Sequence, residues 1–477
     1  MRPFCCVCEG LRSRLAYSGG AGRALLVALA WLVLGGCFEP PYAAAPAVVV
    51  EIDPSERFQT IDGIGGSAAN ESELRGMPEP DRSAVMDLVF GDLEPSVVRV
   101  KPRPSIEPSN DDADPATTDL ANFVRPDDHL WQLDEIALRG DPMRIAAIWT
   151  PPAWMKTTGQ ESHGGSLLPG MQPELAEFFS AYLGFIARAG HRIDALSIQN
   201  EPEAASPWDS NTYDPVSYAD TLEVVAQRLA SDGHDVALVS PDNAILSFTL
   251  LYHQLVQTRP TAMARLRAIA FHIYQGEYYD FGAHEASLDL FAATAPPGIA
   301  RWMTEYSNTT GIGYGSWEEG LAQARLVHAA LVRGTSMYVM WNLYRPGGPG
   351  EALVVIPTRA GVGGFTVTPK YWTLRQFTKW VRPGAVRIAA SVADPELLVS
   401  AYRDDAASRT VAVLINPSAE ARWVLVEGGD LDRAPLLVRS SETEQGREVG
   451  EETRDRFGTR AIRLPASSVT TAVWPDL

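Results

Sequence analysis

Eight short apolar runs, each about the length of a β-strand, alternate with stretches of helical periodicity between residues 60 and 341. The runs fall at 60–66, 96–101, 144–150, 195–200, 236–241, 268–274, 301–306 and 337–341. Amphipathic helices are expected over 173–189, 215–231, 250–267 and 317–333. Continuous apolar strands separated by helices indicate a parallel sheet covered on its outer side. Eight such strands in one chain predict an α/β fold of the closed (β/α)8 type, the TIM barrel. A barrel of this kind carries its chemistry at the C-terminal ends of the strands.

The pattern changes after about residue 385. Strand-like segments at 397–402, 410–415, 422–426, 436–439 and 468–474 are separated by Gly, Asp, Glu and Ser turns, and no helix-length periodic segment remains. A β-sandwich side domain is the expectation. The apolar stretch 48–52 is expected to join it, so that residues 48–57 and 383–477 form one domain built from both termini and 58–382 form the catalytic barrel.

The first 36 residues read as a signal peptide. Arg12, Arg14 and Arg23 make a basic leader, and the apolar stretch 24–34 is too short to span a bilayer. It ends in Leu34-Gly35-Gly36-Cys37, which resembles a bacterial lipoprotein cleavage box. On that reading Cys37 is lipidated, 37–47 is a Pro- and Ala-rich tether, and the protein is held at a cell-envelope membrane. The other reading is an ordinary secretory signal with an incidental cysteine, giving a secreted protein. All four cysteines (Cys5, Cys6, Cys8, Cys37) lie at or before the cleavage point, so no disulfide is expected afterwards. The Cys5-Cys6-x-Cys8 cluster sits in a discarded leader and is read as chance or a misassigned start codon, not as a metal site. The net charge is −19, and the leader is its most basic part. That acidity argues against nucleic acid and anionic membrane surfaces as partners.

Two glutamates stand where a barrel carries its chemistry. Glu201 follows the fourth run in Gln199-Asn200-Glu201-Pro202, and Glu305 closes the seventh in Trp302-Met303-Thr304-Glu305. A carboxylate just past a buried strand is badly placed for core packing and well placed for an active site. Two of them are what a retaining glycosidase needs. One acid protonates the leaving oxygen and the other attacks the sugar carbon, with carboxyl groups roughly 5–5.5 Å apart. Arg99, a charge inside the apolar run Val97-Val98-Arg99-Val100, needs a buried partner and is expected to support Glu305.

With these residues placed, the chain resembles glycoside hydrolase family 30, in the clan whose catalytic glutamates sit on barrel strands four and seven. The segment Phe58-Gln59-Thr60-Ile61-Asp62-Gly63-Ile64-Gly65-Gly66-Ser67 is similar to the family's opening segment. The motifs around Glu201 and Glu305 resemble its acid/base and nucleophile motifs. Phe377-Thr378-Lys379-Trp380-Val381-Arg382-Pro383-Gly384-Ala385 resembles the passage out of the barrel, and Leu464-Pro465-Ala466-Ser467-Ser468-Val469-Thr470-Thr471 the last sandwich strand. The resemblance implies retaining hydrolysis of β-linked glycosides, with Glu201 as general acid/base and Glu305 as nucleophile. It implies that Tyr274 hydrogen-bonds Glu305 and that Asn200 binds the sugar 2-hydroxyl. Xylan, a β-1,6-glucan, a β-galactan and a short β-glucoside all lie within the family's range.

Other residues are candidates of a second rank. His272 lines the sugar site or serves as a structural histidine. Trp149, Trp154 and Trp341, at or just past strand ends, are candidate platforms for the apolar faces of sugars, and a packing role is an equal reading for Trp154. Trp208, Tyr213, Tyr278, Tyr279 and Tyr344 are candidates to extend the cleft. Arg345 follows the eighth run, where the glucuronoxylan-cleaving branch of the family has an arginine that binds a uronic acid. The Pro-Gly-rich surroundings of Arg345 depart from that branch, and a neutral substrate is the expectation. Gly63, Gly65 and Gly66 lack the helix start and later acid of a nucleotide site. No His/Cys/Asp spacing indicates a metal site, and the two-carboxylate mechanism needs no cofactor. The remaining alternatives are a transglycosylase and a surface lipoprotein that binds carbohydrate without cleaving it.

Overall fold

In the computed structural model, which describes residues 47–429, 431, 433–450 and 461–475, a long first strand β1 (Val48–Thr60) leads into eight parallel strands that close into a barrel. These are β2 (Gly63–Ala68), β3 (Val97–Val100), β4 (Met143–Ala147), β5 (Ala195–Ser197), β6 (Ala237–Asn243), β7 (Leu266–His272), β8 (Ala300–Glu305) and β9 (Met337–Met340). They pair in chain order, and β9 returns to β2. The expected signal peptide, Cys37 and the tether up to residue 46 lie outside the described residues. No helix among the described residues is long and apolar enough to cross a membrane.

The alternation along each strand sorts side chains into two cores. Val97, Ile145, Ala195, Val239, Ala268, Ala270, Trp302, Met337 and Val339 make one apolar cluster contributed by the strands alone, which fills the barrel. Their neighbours Val98, Val100, Ala146, Leu196, Leu238, Ile269 and Met303 pack outward against the helices. Gly65 on β2 is needed for close approach, since a Cβ there would stand 1.9 Å from the Val97 carbonyl oxygen.

The helix Pro215–Ser231 begins where expected, with Pro at its start and the Asp214 carboxylate accepting from the Val216 and Ser217 amides. The single helix expected over 250–267 is instead two, Leu246–Val256 and Pro260–Arg265, followed directly by β7. Pro260 has no N–H to continue the first helix and is suited to open the second. After β9 the chain forms a three-stranded sheet that the apolar periodicity did not indicate, β10 (Tyr344–Pro346), β11 (Val354–Ile356) and β12 (Thr366–Val367).

The side domain is a nine-stranded, mostly antiparallel sheet folded sandwich-like over its own core. Its C-terminal strands are β13 (Val386–Val392), β14 (Leu398–Asp404), β15 (Arg409–Asn416), β16 (Arg422–Glu427), β17 (Leu436–Ser441), β18 (Glu444–Val449), β19 (Ile462–Leu464) and β20 (Ser468–Pro475). The order is β18-β17-β20-β15-β14-β13-β1-β16-β19, so both termini build it. β1 runs antiparallel to β13 and parallel to β16, and it continues past residue 57 to Thr60. Val50, Ile52, Ile388, Val399, Leu414 and Trp474 lie in its core.

Candidate active site

Strand alternation and two bulges aim the polar side chains. Arg99 shares a face of β3 with Val97, so it points into the barrel one step above the apolar filling. On β8, Met303 pairs with Phe271 and Glu305 pairs with His272, which leaves Thr304 as an extra residue. Without that bulge, Glu305 would share the outward face of Met303. With it, Thr304 and Glu305 both face the barrel mouth. β6 repeats the device: Pro241 pairs with Ala270 and Asn243 with Phe271, and Asp242 is the extra residue. Asp242 has φ 69°, and Glu201, just past β5, has φ 52°. Both stand in the left-handed region, where a non-glycine residue stores strain of a kind that clusters at functional sites. The Glu201 amide donates to the Asp242 carbonyl at 3.0 Å, which ties the two together.

The side chains form one network. Arg99 donates to Glu305 Oε2 at 2.7 Å, Asn200 Oδ1 at 2.7 Å and Asp242 Oδ2 at 2.8 Å. The Tyr274 hydroxyl donates to Glu305 Oε1 at 3.0 Å. His272 Nδ1 lies 3.2 Å from Glu201 Oε1 and its Nε2 lies 3.2 Å from Asp242 Oδ1. The Thr304 hydroxyl donates to the same Asp242 oxygen. One oxygen of Glu201, one of Glu305 and one nitrogen of His272 lie within 4.8 Å of one another.

Electrostatics follow from this packing. Burial opposes a charge on His272, but the Glu305, Asp242 and Glu201 carboxylates overcome it and hold the imidazolium up to about 10. Geometry agrees, since both ring nitrogens face carboxylate oxygens and an ionised carboxylate only accepts. Burial also opposes the Asp242 charge, and Arg99 and His272 outweigh it, keeping that carboxyl far below its usual range. Burial pushes the Glu305 carboxyl upward, against the pull of His272 and Arg99.

The two glutamates open on a cleft of about 460 Å³ that Trp149, Trp341, Tyr274, Trp208 and Arg345 also line. The Trp149 and Trp341 rings lie 5.4 Å apart at 34°. Arg99 sits 4.7 Å beneath the Trp149 ring and Lys101 lies 4.7 Å from it, contacts that hold the indole in place. Arg99 and His272 have no side-chain exposure and stand behind the carboxylates, outside the cleft lining. Trp154 is turned away, its indole donating to the Glu107 carbonyl at 3.1 Å. Tyr344 is fully buried against Gln132, and Tyr213 and Tyr278 are core residues. Arg345 is paired with Glu351, which also accepts from the Trp341 indole at 3.2 Å.

Asp242, Thr304 and Glu351 were missed by the sequence reading. Asp242 carried the same signal as the two glutamates, an acid directly after an apolar run, in Ser240-Pro241-Asp242-Asn243. Thr304 carried none, because a bulge is invisible to period-two alternation.

No family model matches the chain. Lysosomal acid glucosylceramidase of Mus musculus is 26% identical over 431 residues, covering 80% of this chain and 80% of that protein. The glucuronoxylanase XynC of Bacillus subtilis (strain 168) is 26% identical over 354 residues, covering 71% of this chain and 75% of its own. Among solved structures, the catalytic domain of the GH30 xylanase C from Talaromyces cellulolyticus matches with a TM-score of 0.75 at 20% identity, over 89% of this chain and 99% of that one. That last likeness carries the fold.

Proposed function

We propose that this chain is a retaining glycoside hydrolase of family 30 that cleaves β-linked bonds in a neutral polysaccharide or oligosaccharide through a double displacement by Glu305 and Glu201. The observation that carries this reading is the approach of the two carboxylates to within 4.8 Å, oxygen to oxygen. Carboxyl groups roughly 5–5.5 Å apart suit covalent catalysis, whereas inverting enzymes hold theirs roughly 6.5–9.5 Å apart to admit a water.

The donors support the division of roles. Glu305 accepts from a guanidinium and a phenol, partners that favour the ionised form a nucleophile needs. Arg99 and the His272 imidazolium pair with Asp242 and Glu305, while Glu201 meets His272 through Oε1 alone, which leaves its other oxygen for the acid/base role. In the first step Glu305 bonds to the anomeric carbon as the glycosidic C–O bond breaks and the Glu201 proton passes to the leaving oxygen. In the second, Glu201 takes a proton from water, which displaces Glu305. The negative charge that Glu201 carries between the two steps lies against the His272 N–H. Asn200, anchored by Arg99, keeps its amide group for a sugar hydroxyl.

A 2-deoxy-2-fluoro β-glycoside with a dinitrophenolate leaving group, offered as the glucosyl and xylosyl forms, tests the reading. The fluorine slows both steps and the leaving group speeds the first, so a covalent adduct accumulates. Peptide mass spectrometry is expected to find it on Glu305. An adduct on Glu201 or on any other side chain sinks the assignment.

The ion pair with Glu351 supports a neutral substrate. Arg345 already has a carboxylate, so a uronic acid would have to displace it. Arg345→Ala is therefore expected to change activity on glucuronoxylan and on unsubstituted β-glycans by the same factor. A selective loss of about tenfold or more on glucuronoxylan, the effect of one charge-assisted hydrogen bond, would favour the uronic acid reading instead.

A further inference from the structure

A second carboxylate cluster lies outside the active cleft, where the long segment after β3 meets the helix Gln172–Arg188. Asp111, Glu174 and Glu177 each bring one oxygen to within 4.8 Å of the others. Glu174 and Glu177 stand three residues apart in the first turns of the helix and so share a face. Glu177 is fully buried, and neither of its oxygens has a hydrogen-bond partner among the described residues. One buried oxygen of Glu174 and one of Asp111 are likewise unpartnered. Glu107, also fully buried with both oxygens unpartnered, adds its charge to theirs.

The neighbouring cation does not answer this charge. Arg228 lies close enough to act on Glu177, but its Nε donates to Asp232 at 2.5 Å and its Nη2 to Thr118 at 3.1 Å, while Nη1 donates to the Pro115 carbonyl. Burying several carboxylates without a counter-charge is strongly unfavourable, so they must hold protons or a cation. Burial first, then repulsion from Asp111 and Glu174, pushes Glu177 up to about 7 against the pull of Thr118 and Arg228, and burial with repulsion from Asp111, Glu177 and Glu174 pushes Glu107 up to about 9.

The donors are all carboxylate oxygens, which suit a hard cation. Calcium takes its ligands at roughly 2.3–2.6 Å, so oxygens around one ion lie no more than about 5 Å apart, a limit that these three meet. Magnesium binds at roughly 2.0–2.1 Å and keeps several waters, which a closed carboxylate cage does not favour. We propose that Asp111, Glu174 and Glu177 form a calcium site, with Glu107 as a fourth carboxylate in its field, that fastens the segment after β3 to the helix Gln172–Arg188. That segment begins at Lys101 and Arg103, which line the active cleft, so the ion stiffens one cleft wall. Local spacing along the sequence does not reveal this site, because a loop and a helix supply it together.

Calorimetric titration of the full chain with calcium is expected to show one ion bound, with protons released. The Tm is expected to stand roughly 3 °C or more higher in millimolar calcium than in a chelator. Glu177→Gln and Asp111→Asn are each expected to weaken binding at least about tenfold and to make the Tm indifferent to calcium. Glu177→Gln removes a buried charge and keeps the shape, so the variant should fold. Binding that survives both substitutions overturns the proposal, as does preference for magnesium. A wild-type Tm that ignores calcium and chelator but falls as pH rises through about 7 also overturns it, because the carboxyls then hold protons instead.

Discussion

Glu305→Ala is expected to lower turnover by about 10⁴-fold or more, and added azide to restore part of it with an α-glycosyl azide as product. The loss corresponds to about 5.5 kcal/mol of transition-state stabilisation at roughly 1.36 kcal/mol per decade. Its size follows from the place of Glu305 in the network, with Arg99 at 2.7 Å and Tyr274 at 3.0 Å aimed at its two oxygens. Removing the side chain leaves both donors and the adjoining space, which a small anion can occupy. Azide then attacks the β-glycoside once from that face and inverts it. Glu201→Ala should behave differently. Its first step needs no help when the leaving group is a good one, so activity on aryl glycosides with acidic phenols should survive best. Azide there attacks the glycosyl-enzyme from the face that water uses and gives the β-azide. Product anomers read by proton NMR decide the matter, and exchanged anomers between the two variants mean that the roles are exchanged.

The barrel was legible because its strands are buried on both faces and read as unbroken apolar runs. Each of the eight expected runs overlaps a barrel strand, with differences of a few residues at the ends. The two glutamates were legible for the converse reason, since an acid directly after such a run has no core to join. The same rule would have found Asp242 at the end of β6. The exit from the barrel was harder to read. β10, β11 and β12 are two or three residues long, and their pairing depends on partners brought together only after the barrel closes. The break at Pro260 was visible locally and was outweighed by the apolar periodicity on either side.

Which of the site residues line the cleft was not legible, because alternation tells inside from outside but not front from back. Arg99 and His272 are inside the barrel and behind the carboxylates, whereas Trp149, Trp341 and Tyr274 line the cleft. The network therefore has two layers. The rear one, made of Arg99, Asp242, His272 and Thr304, shares its charges and hydrogen bonds and holds the front carboxylates in place. Its assembly depends on two bulges, one at Asp242 and one at Thr304, whose side chains bond to each other.

Arg99→Met is expected to destabilise the protein by about 3–5 kcal/mol at neutral pH, the usual consequence of removing one partner from a buried ion pair. Methionine roughly fills the stem of the arginine, so the effect reports charge more than volume. Asp242 and Glu305 would both lose a donor at 2.8 Å or less in a site where Asp242 has no exposure. The pH dependence separates this account from a packing defect. In the native protein burial opposes the Asp242 charge and Arg99 with His272 outweighs it, so its folded pKa lies below the unfolded carboxylate value of about 3.9. Its contribution is thus fully present above that value and lost only in strong acid. In the variant the balance reverses, and burial favours the protonated forms of Asp242 and Glu305. A group whose folded pKa is raised stabilises at low pH and ceases to do so as pH rises. The deficit of Arg99→Met should therefore shrink between pH 7 and about 5 in equilibrium unfolding. Adding Asp242→Asn to it should recover part of the loss at pH 7, because the worse of the two stranded charges is gone. A deficit equal at both pH values, or additive losses in the double variant, would mean that Arg99 acts through its packing against Trp149 and not through its charge.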